Sequence, residues 1–279
     1  MPFPSTLRAT GDLADALAGA ELVIAAVPSH GTRDVLRLAS PHVQRGTIVV
    51  SATKGLELDT LFRVSEIIDQ ELKGVRSAVL SGPSFAVEVA RELPTAVCIA
   101  SSDRDAVAAV QGDLKAPYLR LYGTDDVIGV ELGGALKNVI AIAAGVVEGL
   151  GLGHNALAGL ITRGLAEISR LACAAGAKRE TLAGLTGLGD LVLTCTGTLS
   201  RNRHVGIELA SGRPIADVLR EMKTVAEGVR TTEAALALAS RHGVELPIAS
   251  QVAEVLAGRK DARTALGELM LRPQRAEAG

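Results

Sequence analysis

The sequence predicts an α/β domain built on a mostly parallel sheet, followed by an all-helical domain. Three observations carry that expectation. Short β-branched runs recur up to residue 124, stretches of helix length separate the earlier ones, and beyond that point the strand signal stops. The expected boundary lies there, with one domain over residues 1–124 and a second over 125–279.

The first strand is predicted in ELVIAAVPS (21–29), with a helix after it over Thr32–Ala39. GTIVVSATKG (46–55) is the second strand, and residues 56–72 have the length and pattern of a helix. SAVLSGPS (77–84), TAVCIASS (95–102) and YLRLYGT (118–124) complete the set. Strands that alternate with helices pair in parallel with both faces covered. Several of these end in polar residues with glycine or proline, where an open α/β sheet places its ligand crevice. From Asp125 onward, alanine, leucine, glycine and glutamate recur at helical spacing. SRNRHVGIELASG, PIADVLREM and TTEAALALASRHG each have a start signal and a glycine or polar stop. The closing RPQRAEAG reads as a frayed tail.

Composition excludes several classes of function. A net charge of -2 gives no general attraction to nucleic acid or to an anionic membrane, so an anionic ligand must be held by locally placed groups. Cys98, Cys173 and Cys195 stand far apart without a CxxC, which argues against a disulfide scaffold or zinc site and for a reducing compartment. The uncharged runs at 138–147 and 149–162 are too short or too glycine-rich to span a bilayer. No basic-then-apolar segment opens the chain, and the expected location is cytoplasmic.

Among the segments that could carry chemistry, ELGGALKNVIAIAAG (131–145) is distinctive because Lys137 stands in an otherwise apolar, small-residue helix. Its helical neighbours three and four residues away are Gly133, Gly134, Ile140 and Ala141, none of which pairs with an ammonium. Its partner must come from elsewhere in the fold. Two readings follow: a lysine that snorkels its charge to solvent, or a desolvated lysine that serves as acid and base.

Three further segments present donors at element ends. VSATKGLELD places Lys54 and Gly55 just past a strand, and LSGPSFAVEVA places Gly82, Pro83 and Ser84 between a strand and a helix; either suits a phosphate or cofactor, or caps a helix. In LTGLGDLVLTCTGTLSRNRHVG (185–206), Gly187 and Gly189 allow a tight turn before Asp190, and Ser200, Arg201 and Asn202 open a helix. A helix start beside a guanidinium suits a dianionic phosphate, although a capped helix with a surface arginine has the same pattern. Cys195 lacks a local histidine to activate it and reads as structural. GLGLGH (149–154) and GLTGLG (184–189) lack the spacing of a dinucleotide loop, and neither follows a strand.

Taken in order, AVPSH, SATKGLE, SGPSFAVEVA, ELGGALKNVIAIAAGV, GLGDLVLTC and SRN, closed by VAEGVRTT (225–232), resemble the NAD(P)-dependent glycerol-3-phosphate dehydrogenases of the bacterial type. The resemblance runs over residues 7–271 and implies a truncated Rossmann-like domain followed by the helical one. It implies hydride transfer between C2 of sn-glycerol 3-phosphate and NAD or NADP, giving dihydroxyacetone phosphate for glycerophospholipid synthesis. By the same resemblance Lys137 becomes the base for the C2 hydroxyl. Lys54, Gly82, Ser84, Asn138, Asp190, Thr194, Ser200, Arg201 and Asn202 become further substrate contacts, with Asp190 near Lys137. Lys54, Ala86, Arg201, Val225 and Glu227 become cofactor contacts. No metal is implied, the partner is a small molecule rather than nucleic acid or membrane, and a homodimer is the assembly considered.

The sequence departs from the family at one place. The family's pattern opens with a strand, a GxGxxG-type loop, a helix and a second βα unit, and the 279 residues hold no counterpart of these. Two accounts compete: a start set at an internal methionine, which the match of the remaining site residues favours, or a shortened chain with an exposed strand edge. In either, the 279 residues are expected to bind NAD(P)H poorly and to turn over slowly. The rival from another class is a phosphometabolite-binding remnant without catalysis. A 3-hydroxy acid or 6-phosphogluconate dehydrogenase is disfavoured by the combination of GLGDLVLTC with SRN.

Overall fold

In the computed structural model, residues 4–222, 226–274 and 276 are described. The chain forms two compact units. The first reaches Ala135 and takes in Ala172–Asp190; the second comprises Leu136–Leu171 and the residues from Leu191 on. Residue 124 marks the change from strands to helices, and the first compact unit extends past it to Ala135. The reason lies in packing: Val130, in the helix after that boundary, joins Val79 and Ala100 in one buried cluster of the sheet domain.

The first unit contains α1 (Leu13–Leu17), β1 (Leu22–Ala25), α2 (Thr32–Ala39), β2 (Ile48–Ser51), α3 (Val64–Glu71), β3 (Arg76–Ser81), α4 (Ala86–Ala90), β4 (Thr95–Ala100), α5 (Arg104–Asp113) and β5 (Leu119–Thr124). All five strands lie where the β-branched runs predict them. The sheet order is β1-β2-β3-β4-β5. All pairs are parallel except β3 with β4, which is antiparallel. Through α4 the chain re-enters the sheet from the end at which β3 left it.

Both faces of the sheet are covered. Val49 packs with Leu36, Val64, Ile67 and Ile68 of α2 and α3, while Ile48 and Val50 face Ala106 and Val110 of α5. Strand β2 is consequently buried on both sides, as a central parallel strand should be. The three parallel strands β1 to β3 deliver their C-terminal ends, with Pro28, Lys54 and Gly82 just beyond, to one end of the sheet.

The helix expected over 56–72 begins only at Val64. Residues 56–63 instead form a turn closed by a bridge between Leu56 and Arg63, in which Leu61 adopts a left-handed φ of 63° that a helix does not accept. Glu66 then accepts from the Arg63 amide at 2.8 Å and starts the helix.

Helix α6 (Val127–Gly149) begins in the first unit and continues into the second. It is followed by α7 (Gly153–Ala174), α8 (Arg179–Ala183), α9 (Asp190–Thr196), α10 (Arg201–Ala210), α11 (Ile215–Glu221), α12 (Glu227–His242), α13 (Pro247–Leu256) and α14 (Ala262–Met270). Helix α12 starts a turn before its expected TTEAA and ends at Gly243, whose left-handed φ of 66° supplies the predicted glycine stop. The described residues of the C-terminal tail lie beyond α14.

In the second unit α6 and α10 cross backbone to backbone. A Cβ on Gly206 would overlap the Ile142 carbonyl, and one on Gly145 would overlap the Arg203 carbonyl, so both positions require glycine. Helix α6 is also long and apolar enough to cross a membrane, which the count of uncharged runs did not anticipate. Its apolar window is 83% buried within the protein, and it is accounted for as a core helix.

Candidate active site

The first unit assembles one polar cluster at the C-terminal end of its sheet. Lys54, carried past β2, donates from Nζ to Asp190 Oδ2 at 2.7 Å and to the Gly82 carbonyl at 3.2 Å. Ser84 Oγ donates to that same carbonyl at 3.0 Å. Gly82 has φ 138°, and a Cβ there would press on the Val97 backbone at 3.0 Å, so the turn out of β3 needs glycine. Thr53 fixes the strand end from the other side by donating to the Val27 carbonyl at 2.7 Å.

Asp190 reaches this cluster from 136 residues away because of how its own segment folds. Leu185–Gly189 form a single π-helical turn, and a Cβ on Gly187 would overlap the Leu182 carbonyl. Thr186 Oγ1 anchors that turn on the Val130 carbonyl at 2.9 Å. The Asp190 side chain is 1% exposed and that of Lys54 23%, so the pair is largely withdrawn from water. One residue before Gly82, the buried Ser81 Oγ makes no hydrogen bond among the described residues. It is accommodated because position 134 of α6 is glycine. An orphaned hydroxyl costs about 1–3 kcal/mol, which a polar ligand group would offset.

The second unit holds Lys137. Its side chain is buried, with the residue only 5% exposed, and Nζ donates to Thr194 Oγ1 of α9 at 2.7 Å. The snorkelling alternative is thereby removed, since the ammonium ends inside the protein. Burial pushes the adjacent Cys195 thiol up to about 12, and the thiol stays protonated at neutral pH, as the structural reading expects.

Ser200 caps α10 by accepting from the Arg203 amide at 3.3 Å. Asn202 is buried and used at both ends of its amide: Nδ2 donates to Asn138 Oδ1 at 3.0 Å, and Oδ1 accepts from the Gly228 amide at 2.9 Å. It ties α10 to α6 and to the start of α12. Arg201 is exposed at the first position of α10, and Glu227 is half-buried at the first position of α12. Ala86 is exposed at the start of α4. Val225 lies outside the described residues.

The structure thus gathers Lys54, Gly82, Ser84 and Asp190 in the first unit, and joins Lys137 to Thr194 and Asn138 to Asn202 in the second. The sequence reading missed Ser81, because a serine closing an apolar strand carries no signal until its lack of partners is seen. Among the described residues no three His, Cys, Asp or Glu are placed to hold a metal ion.

Residues 1–107 match the family described as NAD-dependent glycerol-3-phosphate dehydrogenase N-terminus, and residues 126–267 match its C-terminus. A glycerol-3-phosphate dehydrogenase [NAD(P)+] of Koribacter versatilis is 52% identical over 279 residues, covering 99% of this chain and 83% of its own length. The protein of the same description from Geobacter metallireducens is 53% identical, covering 98% and 82%. The crystal structure of glycerol-3-phosphate dehydrogenase from Coxiella burnetii superposes with a TM-score of 0.94 at 42% identity, covering 97% of this chain and 83% of that one.

Proposed function

Since the chain belongs to the NAD-dependent glycerol-3-phosphate dehydrogenase family, we propose that it interconverts sn-glycerol 3-phosphate and dihydroxyacetone phosphate with Lys137 as the acid and base at C2. It is an NAD(P)-dependent oxidoreductase. The observation that carries the assignment of Lys137 is the burial of its side chain, with Nζ on the Thr194 hydroxyl.

In the oxidising direction Lys137 reacts as the neutral amine: its Nζ lone pair accepts the C2 hydroxyl proton as hydride leaves C2, and the ammonium forms. Bound NAD(P)+ supplies the acceptor for that hydride. In the reverse direction Nζ returns the proton to the ketone oxygen. Thr194 holds Nζ in one direction, and a hydrogen-bonded lysine is oriented before substrate arrives. The amides and dipole that open α10, with Arg201 beside them, are suited to the substrate phosphate. Binding energy gained at this remote group orients C2 for reaction. Lys54, Gly82, Ser84 and Asp190 are assigned to the substrate, as are Asn138, Ser200 and Asn202, and the product is assigned to glycerophospholipid synthesis.

The strand-end cluster of Ser81, Lys54 and Gly82 fits the polar end of a dinucleotide, and Lys54, Ala86, Arg201, Val225 and Glu227 are the residues assigned to hold it. The 279 residues contain no GxGxxG, which favours weak NADH binding by this stretch taken alone. Calorimetry on the 279-residue polypeptide tests both points. Glycerol 3-phosphate binding with weak NADH binding supports the proposal, and tight NADH binding refutes the weak-binding part. The dehydrogenase assignment is tested on protein from the complete reading frame: absence of NAD(P)+ reduction by glycerol 3-phosphate would leave the non-catalytic binding module as the better reading.

A further inference from the structure

The motif SATKGLE supplies Lys54 to the cluster above, yet its last residue, Glu57, has no part in the chemistry so far. Glu57 opens the closed turn that follows Lys54. Its amide donates to the Phe62 carbonyl at 3.0 Å, and its carbonyl accepts from the Leu61 amide at 2.9 Å. Its carboxylate accepts from Thr60 Oγ1 within the turn and from the Arg33 fork of α2 on both oxygens, Nε to Oε1 at 2.6 Å and Nη2 to Oε2 at 2.8 Å. The same arginine donates to Glu71 at 2.6 Å and Gln70 at 2.9 Å on α3, and lies over the Phe62 ring at 5.9 Å.

This turn needs holding. Leu61 sits in the left-handed region at φ 63°, which costs a residue with a Cβ about 1–2 kcal/mol. Between the turn and Lys54 stand only Leu56 and Gly55, both buried, and the φ of 154° at Gly55 is one that glycine adopts most readily. The Arg33 and Glu57 side chains are 21% and 18% exposed, so their two-pronged pairing is less screened than a surface ion pair and fixes orientation as well as distance.

We propose that Glu57 is a positioning residue for Lys54: the Arg33–Glu57 fork locks the 57–62 turn, stops the backbone pivoting at Gly55, and so keeps Lys54 Nζ on Asp190 and the Gly82 carbonyl. The functional consequence rests on the assignment of Lys54 as a ligand contact. The Arg33 guanidinium also holds the Glu57 carboxyl below the ordinary range, so the fork persists through neutral pH.

The test is the rate at which trinitrobenzenesulfonate modifies Lys54, read by mass spectrometry against the exposed Lys178, in protein from the complete reading frame. Glu57→Ala should speed modification of Lys54 about tenfold or more, because the unclamped turn opens more often. The near-isosteric Glu57→Gln should give a smaller increase in a chain whose fold is least disturbed. Glu71→Gln, which removes another Arg33 partner outside the turn, should leave the rate unchanged. Equal rates in wild type and both Glu57 variants overturn the proposal. So does equal acceleration by Glu71→Gln, which would report a loosened arginine cluster. Protection of wild-type Lys54 by glycerol 3-phosphate is read separately: without it the ligand assignment of Lys54 fails, while acceleration by Glu57→Ala still supports positioning.

Discussion

Lys54 and Asp190 show how a buried charge is kept tolerable. The carboxylate is almost wholly enclosed, and Lys54 reaches it from the wetter side. Removing one member of such a pair leaves the other uncompensated, so Lys54→Met should destabilise the fold by about 3 kcal/mol, read as a lower urea midpoint. The double variant Lys54→Met/Asp190→Asn should recover much of that stability without recovering glycerol 3-phosphate affinity. Normal affinity in the double variant would remove both residues from the site. The candidate residues themselves were legible in the sequence as lysines, serines and an aspartate beside glycines at element ends. Their pairing was not. Two opposite charges 136 residues apart carry no mark of each other, yet Lys54 donates to Asp190 in the first unit. The structural use of Asn202, whose amide ties three helices by both its ends, was equally unmarked in the sequence.

Elements were legible where side-chain shape alone decides them. The five strands follow from β-branched runs, and α10 and α12 from a serine cap and a glycine stop. The start of α3 and the reversed sense of β4 were not legible, because the first depends on a left-handed leucine and the second on long-range pairing that no local pattern marks. Helix α13 illustrates a dependence that no local pattern reveals. It begins at Pro247, and its first amides are met from α7 by Glu167, which accepts from Ile248 at 2.7 Å and Ala249 at 3.4 Å. Burial pushes this carboxyl up to about 7 from an ordinary 4.5, against the pull of those amides and of Arg170 and Arg272. The folded state then binds a proton that the unfolded state has released between those values. Its contribution to stability is full below about 4.5 and is lost as pH rises toward 7, by about 3 kcal/mol at most. Glu167→Gln cannot lose that proton. The wild type should therefore lose stability relative to Glu167→Gln between pH 4.5 and 7 in urea titrations, and a constant difference would contradict the raised value.

At the scale of the whole molecule, the order of strands then helices was enough to anticipate a sheet domain and a helical domain, because each class of element must bury its apolar side against its own kind of layer. The compact units follow packing rather than chain order: the start of α6 and the Ala172–Asp190 segment belong with the sheet. The length and hydropathy of α6, which alone would suit a membrane, are explained by its burial. What the molecule does with these units rests most on one side chain. The direct measurement is oxidation of sn-glycerol 3-phosphate by NAD(P)+, compared between wild type and Lys137→Ala expressed from the complete reading frame, with substrate affinity measured by calorimetry. Loss of a general base should lower kcat by roughly 10²–10⁴-fold while affinity for glycerol 3-phosphate stays near that of the wild type. Turnover retained in the alanine variant would contradict Lys137 as the acid and base.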